Sequence, residues 1–178
     1  MSYGTAADVQ LGACEVYFGT IDTALDETDS MGYTQGNVGV SFSTESTSIE
    51  VDQEDAAISE IITSQIVEVT CPFAEQNLER MAMLLPGAIF TEDGTTATKQ
   101  KLVLSGASGG SLNDKAGLLI LKPDTADATT WFTLHKAVPV ANFSYSYDKE
   151  SVRIIEITFK GLVHSTKGLC TFGDETAQ

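Results

Sequence analysis

Val152-Arg153-Ile154-Ile155-Glu156-Ile157-Thr158-Phe159-Lys160-Gly161-Leu162 decides the fold class. Arg153, Ile155, Ile157 and Phe159 fall on one side of an extended chain. Ile154, Glu156, Thr158 and Lys160 fall on the other. This period of two marks a strand with one buried face. Just upstream, Phe143, Tyr145 and Tyr147 alternate with Asn142, Ser144 and Ser146. Asp148-Lys149-Glu150 between the runs has turn character, so an antiparallel hairpin is expected over 141–162, with the three aromatics turned to the core.

The same period recurs upstream. Residues 61–71 form a long β-branched run, with Val67, Val69 and Cys71 on one side and Glu68 and Thr70 on the other. Its first half is apolar on both sides, which predicts cover on both faces. Val38, Val40 and Phe42 alternate with Gly39, Ser41 and Ser43, and Ile49 and Val51 alternate with Ser48, Glu50 and Asp52. Further strands are expected at 13–21, 101–105, 117–122, 130–138 and 169–172. One segment breaks the pattern. Over 73–85, Ala74, Leu78, Met81 and Leu85 recur at helical spacing, with Pro72 suited to a first turn, Glu75 favoured by the helix dipole, and Pro86-Gly87 as a stop. The expected architecture is mainly β (α+β): an antiparallel sandwich or partial barrel with one flanking helix and an extended hairpin arm over 44–60. The whole chain, 1–178, is expected to form one domain.

The 178 residues hold 25 Asp and Glu against 10 Lys and Arg, a net charge of −15. That excludes the ordinary nucleic-acid binder, which neutralises phosphates with cations, and disfavours docking on anionic lipid. No apolar run is long enough for a membrane helix, and the first residues lack a leader's basic and apolar regions. Cys14, Cys71 and Cys170 lie far apart, outside any zinc spacing, and are expected to be reduced thiols.

Candidate chemistry is sparse. Gly106-Ala107-Ser108-Gly109-Gly110 matches a nucleophile elbow formally, but a strand rather than a helix is expected after it, so a flexible loop is favoured. His135 and His164 are the two histidines, and His135 is expected at a surface or interface. Asp22, Asp26, Glu27 and Asp29 lack calcium-loop spacing, as do Asp52, Glu54 and Asp55, and a solvated loop is expected for each. Trp131 is expected to fill the core or an interface. No active site and no cofactor or metal site emerges.

The order of elements carries more than any motif. A glycine-opened strand, Gly36-Asn37-Val38-Gly39-Val40-Ser41-Phe42, leads into the arm with Ile49-Glu50-Val51-Asp52-Gln53-Glu54-Asp55. A long strand (58–71) and an acidic-start helix, Ala74-Glu75-Gln76-Asn77-Leu78-Glu79, come next. Tyr147-Asp148-Lys149-Glu150 and the strand 152–162 close the pattern. This arrangement resembles the major tail protein, or tail tube protein, of long non-contractile-tailed bacteriophages, over roughly 12–162. Loops 22–31 and 105–112 have no counterpart in that pattern.

The resemblance implies a structural virion protein, not an enzyme, related in fold to type VI secretion and contractile-tail tube proteins. Such subunits form hexameric rings that stack into a hollow tail tube. The implied partners are the chain itself, a tape-measure protein, a tail terminator and distal tail proteins. DNA passes through without specific binding, and assembly takes place in the host cytoplasm with no membrane involved. An acidic wall suits such a conduit, because it repels DNA within a Debye length of about 8–10 Å. Glu68, Asn142, Ser144, Ser146, Glu156 and Thr158, the polar sides of the strands, are the candidate lumen residues. The arm, with Thr44, Glu45, Ser46, Ile49, Glu50, Val51, Asp52, Gln53, Glu54 and Asp55, is the candidate contact between rings. Two apolar side chains, Ile49 and Val51, contribute roughly 1.5–3 kcal/mol each, too little against backbone entropy of about 1–2 kcal/mol per residue. The arm is therefore expected to order only on another subunit. The alternative is a soluble β-sandwich binding module of carbohydrate-binding or adhesin type, which would present an aromatic platform.

Overall fold

The structure is a computed structural model that describes residues 12–96, 98–106, 110–124, 127–141, 147, 149–150 and 152–175. Its elements are β1 (Cys14–Gly19), β2 (Gly39–Ile49), β3 (Ser59–Phe73), α1 (Leu78–Leu84), β4 (Ala88–Glu92), β5 (Gln100–Leu104), β6 (Gly117–Pro123), β7 (Phe132–Ala141), β8 (Ile155–Gly161) and β9 (Cys170–Phe172). The main antiparallel sheet has the order β1-β6-β7-β8-β3-β2, with β9 beside the start of β7. It curls into a half-barrel, and β4 and β5 form a separate hairpin.

The alternation that defines β8 has a direct packing cause. Ile155, Ile157 and Phe159 are buried, and their cross-strand partners Phe73, Cys71 and Val69 on β3 are buried with them. Val16 and Phe18 of β1, Leu119 and Leu121 of β6 and Phe132 and Leu134 of β7 extend this core along the curl. Phe18 and Phe159 meet with ring centroids 5.2 Å apart, which ties the β1 end of the sheet to its middle. Gly117 is required where β6 passes β1, because a Cβ there would lie 2.5 Å from the Gly19 carbonyl oxygen.

The mainly-β class and the single α-helix match the sequence expectation, but four details differ. The helix is shorter than 73–85. Pro72 and Phe73 stay in β3, opposite Glu156 and Ile155, and the Asn77 side chain caps α1 by accepting from the Glu79 and Arg80 amides. Apolar spacing does not register such a cap, whereas the backbone needs it to satisfy its first amides. Second, β2 is one continuous strand through Ile49 rather than two. Third, β7 runs through Ala141 rather than ending at 138, and it pairs with β8, Ala141 opposite Ile157, in line with the hairpin expected over 141–162. The strand expected at 142–146 lies outside the described residues. Fourth, β4 is a strand where none is expected, because Ala-Ile-Phe-Thr-Glu follows the Pro86-Gly87 stop without a long alternation.

Candidate functional site

The main feature of the surface is the β2–β3 ribbon. β8 pairs with β3 from Glu68 onward, so among the described residues 59–67 of β3 has only β2 beside it. At about 3.3 Å per residue, this ribbon runs roughly 30 Å past its last β8 contact. Within it lie Thr44, Glu45, Ser46 and Ile49 on β2, while Glu50, Val51, Asp52, Gln53, Glu54 and Asp55 form its tip. Main-chain bonds that the sequence argument assigned to another subunit come from this chain's own β3: Thr44 opposes Gln65, Ser46 opposes Ile62 and Ile49 opposes Ser59. The tip is closed by the Ile58 amide donating to the Ile49 carbonyl at 2.9 Å.

A bulge between Glu45 and Ser46 shifts the register of the ribbon. One face carries Val40, Phe42 and Ile62, continuing the core face of Val67 and Val69, and the other carries Ile49, Ile61 and Ile66. All of these except Val67 and Val69 are exposed, as is Ile58. This corrects the expectation that the first half of the long strand is covered on both faces. Among the described residues no other element packs there, because the described half-barrel ends at the β8–β3 pairing. Among the described residues β2 is also an open edge strand, a template for further pairing.

Three of the candidate lumen residues are brought together. Glu68, Thr158 and Glu156 lie on the face of β3 and β8 that points away from the core, opposite Lys160, Thr70 and Pro72 in register. Lys160 Nζ sits 3.1 Å from Glu68 Oε1, with both side chains more than a third exposed, so the pair is screened and weak. Asn142, Ser144 and Ser146 lie outside the described residues. So do Phe143 and Tyr145. Tyr147 is exposed, with Arg153 over its ring, and does not join the core.

The helix residues divide. Met81 packs at the edge of the core and Leu85 is buried, but Leu78 is half-buried and Ala74 precedes the helix as a half-buried link. Leu84 is the buried residue of α1 that the spacing argument missed, since a helix starting at Leu78 turns a different face inward. Glu75 now precedes the helix, pairs with Arg80 at 3.2 Å and approaches the Tyr33 amide.

His135 is not a surface residue. It is buried because β9 and the segment after it close over β7, with its Nε2 2.8 Å from Thr171 Oγ1 and its Nδ1 3.5 Å from Glu175 Oε1. Burial pushes its pKa down, opposed by Glu175 and Asp22 and reinforced by Lys167 and His164. His164 stands 6.4 Å away, ring to ring, and bonds Asp22, which also pairs with Lys167. The acidic loop 22–29 is thus anchored to the C-terminal segment, and Asp26 caps a 3-10 turn over Glu27–Asp29. Trp131 is half-buried with Lys122 against its ring. The three cysteines are free thiols, and burial raises Cys71 to about 12, far from a nucleophile's range. Of the elbow-like loop, 107–109 lie outside the described residues. A 3-10 turn, Leu112–Lys115, then β6 follow it. Among the described residues no helix is long and apolar enough to cross a membrane.

No protein-family model matches the chain, and no curated protein matches its sequence.

Proposed function

We propose that this chain is a self-assembling structural subunit, the tail tube protein of a long non-contractile phage tail, whose hexameric rings stack into a hollow conduit for DNA. The observation that carries the reading is the ribbon of β2 and β3. It exposes Val40, Phe42, Ile49, Ile58, Ile61, Ile62 and Ile66 over both of its faces in a single chain. Scattered surface apolars are ordinary, but a two-faced apolar ribbon on an open sheet edge is a surface awaiting a partner. A half-barrel with a free β2 edge supplies the geometry for ring closure, since neighbours in a ring pair edges that a monomer leaves open.

On this reading the arm is the contact between stacked rings. Its six acidic residues, Glu45, Glu50, Asp52, Glu54, Asp55 and Glu60, keep it soluble before docking. Glu68, Glu156 and Thr158 line the channel, where a net negative charge repels passing DNA. A tape-measure protein occupies the lumen before ejection, and terminator and distal tail proteins cap the ends. The deciding experiment is electron microscopy of the purified protein at rising concentration. Rings or tubes are expected, and a protein monomeric at every concentration overturns the reading.

A further inference from the structure

The β4–β5 hairpin presents a second apolar face, differently charged from the arm. Ile89 opposes Val103 and Thr91 opposes Lys101, so these four share one side of the hairpin with Lys99. Ile89 and Val103 are 59% and 47% exposed. The opposite side turns the half-buried Phe90 and Leu102 away from this face. Two residues along the strands from Ile89 and Val103, Thr91 and Lys101 line a concavity together with Thr98, Lys99 and Gln100. Among the described residues neither lysine has a carboxylate within ion-pair distance, whereas Lys160 and Arg80 each have one and Lys167 has two. Asp93 borders the same concavity, but its carboxylate already accepts from the Thr95 hydroxyl and the Thr95 and Thr96 amides.

We propose that this face receives the acidic arm of a second copy of this chain, the isoleucines of the arm covering Ile89 and Val103 and the tip carboxylates meeting Lys99 and Lys101. The proposal rests on the tube-subunit reading and names the acceptor that reading lacks. Charge complementarity selects the occupant. The arm carries six carboxylates and no cation between 44 and 60, alongside exposed Ile49, Ile58, Ile61 and Ile62. The hairpin face carries two cations beside two exposed apolar side chains. Donor and acceptor are different parts of one chain, so a contact engaged in one direction is head-to-tail and propagates, as a stack requires, whereas reciprocal exchange would close a dimer.

The test is charge reversal and exchange. K99E/K101E and the exchanged variant K99E/K101E/E54K/D55K are compared with the wild type by sedimentation and micrographs at low and high salt. All four substituted side chains are exposed, and equal thermal melts of the monomers verify the fold. The milder K99Q/K101Q gives a second measure should reversal disturb folding. The expected result is a rise of about tenfold in the concentration needed for stacking in K99E/K101E, a smaller rise in K99Q/K101Q, and recovery in the exchanged variant. Wild-type stacking should weaken with salt. K99E/K101E that stacks like the wild type, or an exchanged variant as defective as the reversal, overturns the contact while leaving the tube reading standing. A wild type that never assembles overturns both.

Discussion

Phe42 and Val67 lie directly opposite each other on β2 and β3, yet Val67 is fully buried and Phe42 is 51% exposed. The pair marks the line where the half-barrel's own core ends. Cross-strand partners on one face ordinarily share an environment, because their Cβ atoms stand only about 4.5–5.5 Å apart. On the proposed tube-subunit reading, the large aromatic left open beside a sealed valine is apolar surface for an intermolecular contact.

Phe42→Ser should therefore cost the monomer about 1–2 kcal/mol, less than the roughly 3–5 kcal/mol of a fully buried Phe, since the ring is half in water already. Assembly should weaken by at least about tenfold, or 1.4 kcal/mol, for an aromatic buried at an interface. Chemical denaturation and sedimentation measure the two effects separately. A variant destabilised as much as by a core truncation, yet assembling like the wild type, would show Phe42 to be a core residue.

Deleting 46–56 should give a folded monomer that cannot polymerise. The segment contributes nothing to the cluster of buried side chains, and β3 keeps its β8 pairing from Glu68 onward. Near-ultraviolet circular dichroism and micrographs of the deletion check this, and tubes built by the deleted protein would remove the arm from the assembly mechanism.

Leu84→Ala should cost roughly 2–5 kcal/mol, the range for a buried leucine with the cavity it leaves. Leu78→Ala, at a half-buried position, should cost less than half as much. Urea unfolding of both variants tests the face that α1 turns inward. Equal losses would contradict it.

Stability should fall as pH drops below about 6.5. Burial holds the His135 pKa below its unfolded value, so the unfolded chain binds the proton first. The neutral ring is stabilising above the unfolded pKa, and that contribution is lost as pH falls towards the folded one. His135→Gln should flatten the dependence in this window. A wild-type melting temperature unchanged between pH 7 and pH 5 would contradict the assignment.

Changing Glu68 and Glu156 together to Lys should leave tubes intact but slow DNA passage, because both residues share an exposed sheet face with few buried neighbours. Ejection kinetics from particles carrying the double variant are the measurement, and unaltered kinetics would remove the electrostatic role of the wall.

The strands legible in sequence were those whose alternation is enforced by a local face. Ile155, Ile157 and Phe159 must point one way in any extended chain, and they do. Glu68, Glu156 and Thr158 share a face for the same reason, by the period of two on each strand. The helix boundary was not legible, because Pro72 fits a strand whose neighbour needs no amide from it as well as it fits a first turn. The ribbon's two apolar faces were misjudged for a further reason. The run Ile58 to Ile66 specifies apolar surface but not what covers it.

Composition and periodicity alone determined a mainly β chain with one helix, a strongly acidic charge and a polar arm between two strands, because these depend on neighbouring residues only. Tertiary structure decided which residues lie beside which. It set β7 against β8 as far as Ala141, buried His135 under β9, and left Phe42 open beside Val67. Burial depends on elements distant in sequence, and one bulge at Glu45–Ser46 suffices to change which isoleucines share a face.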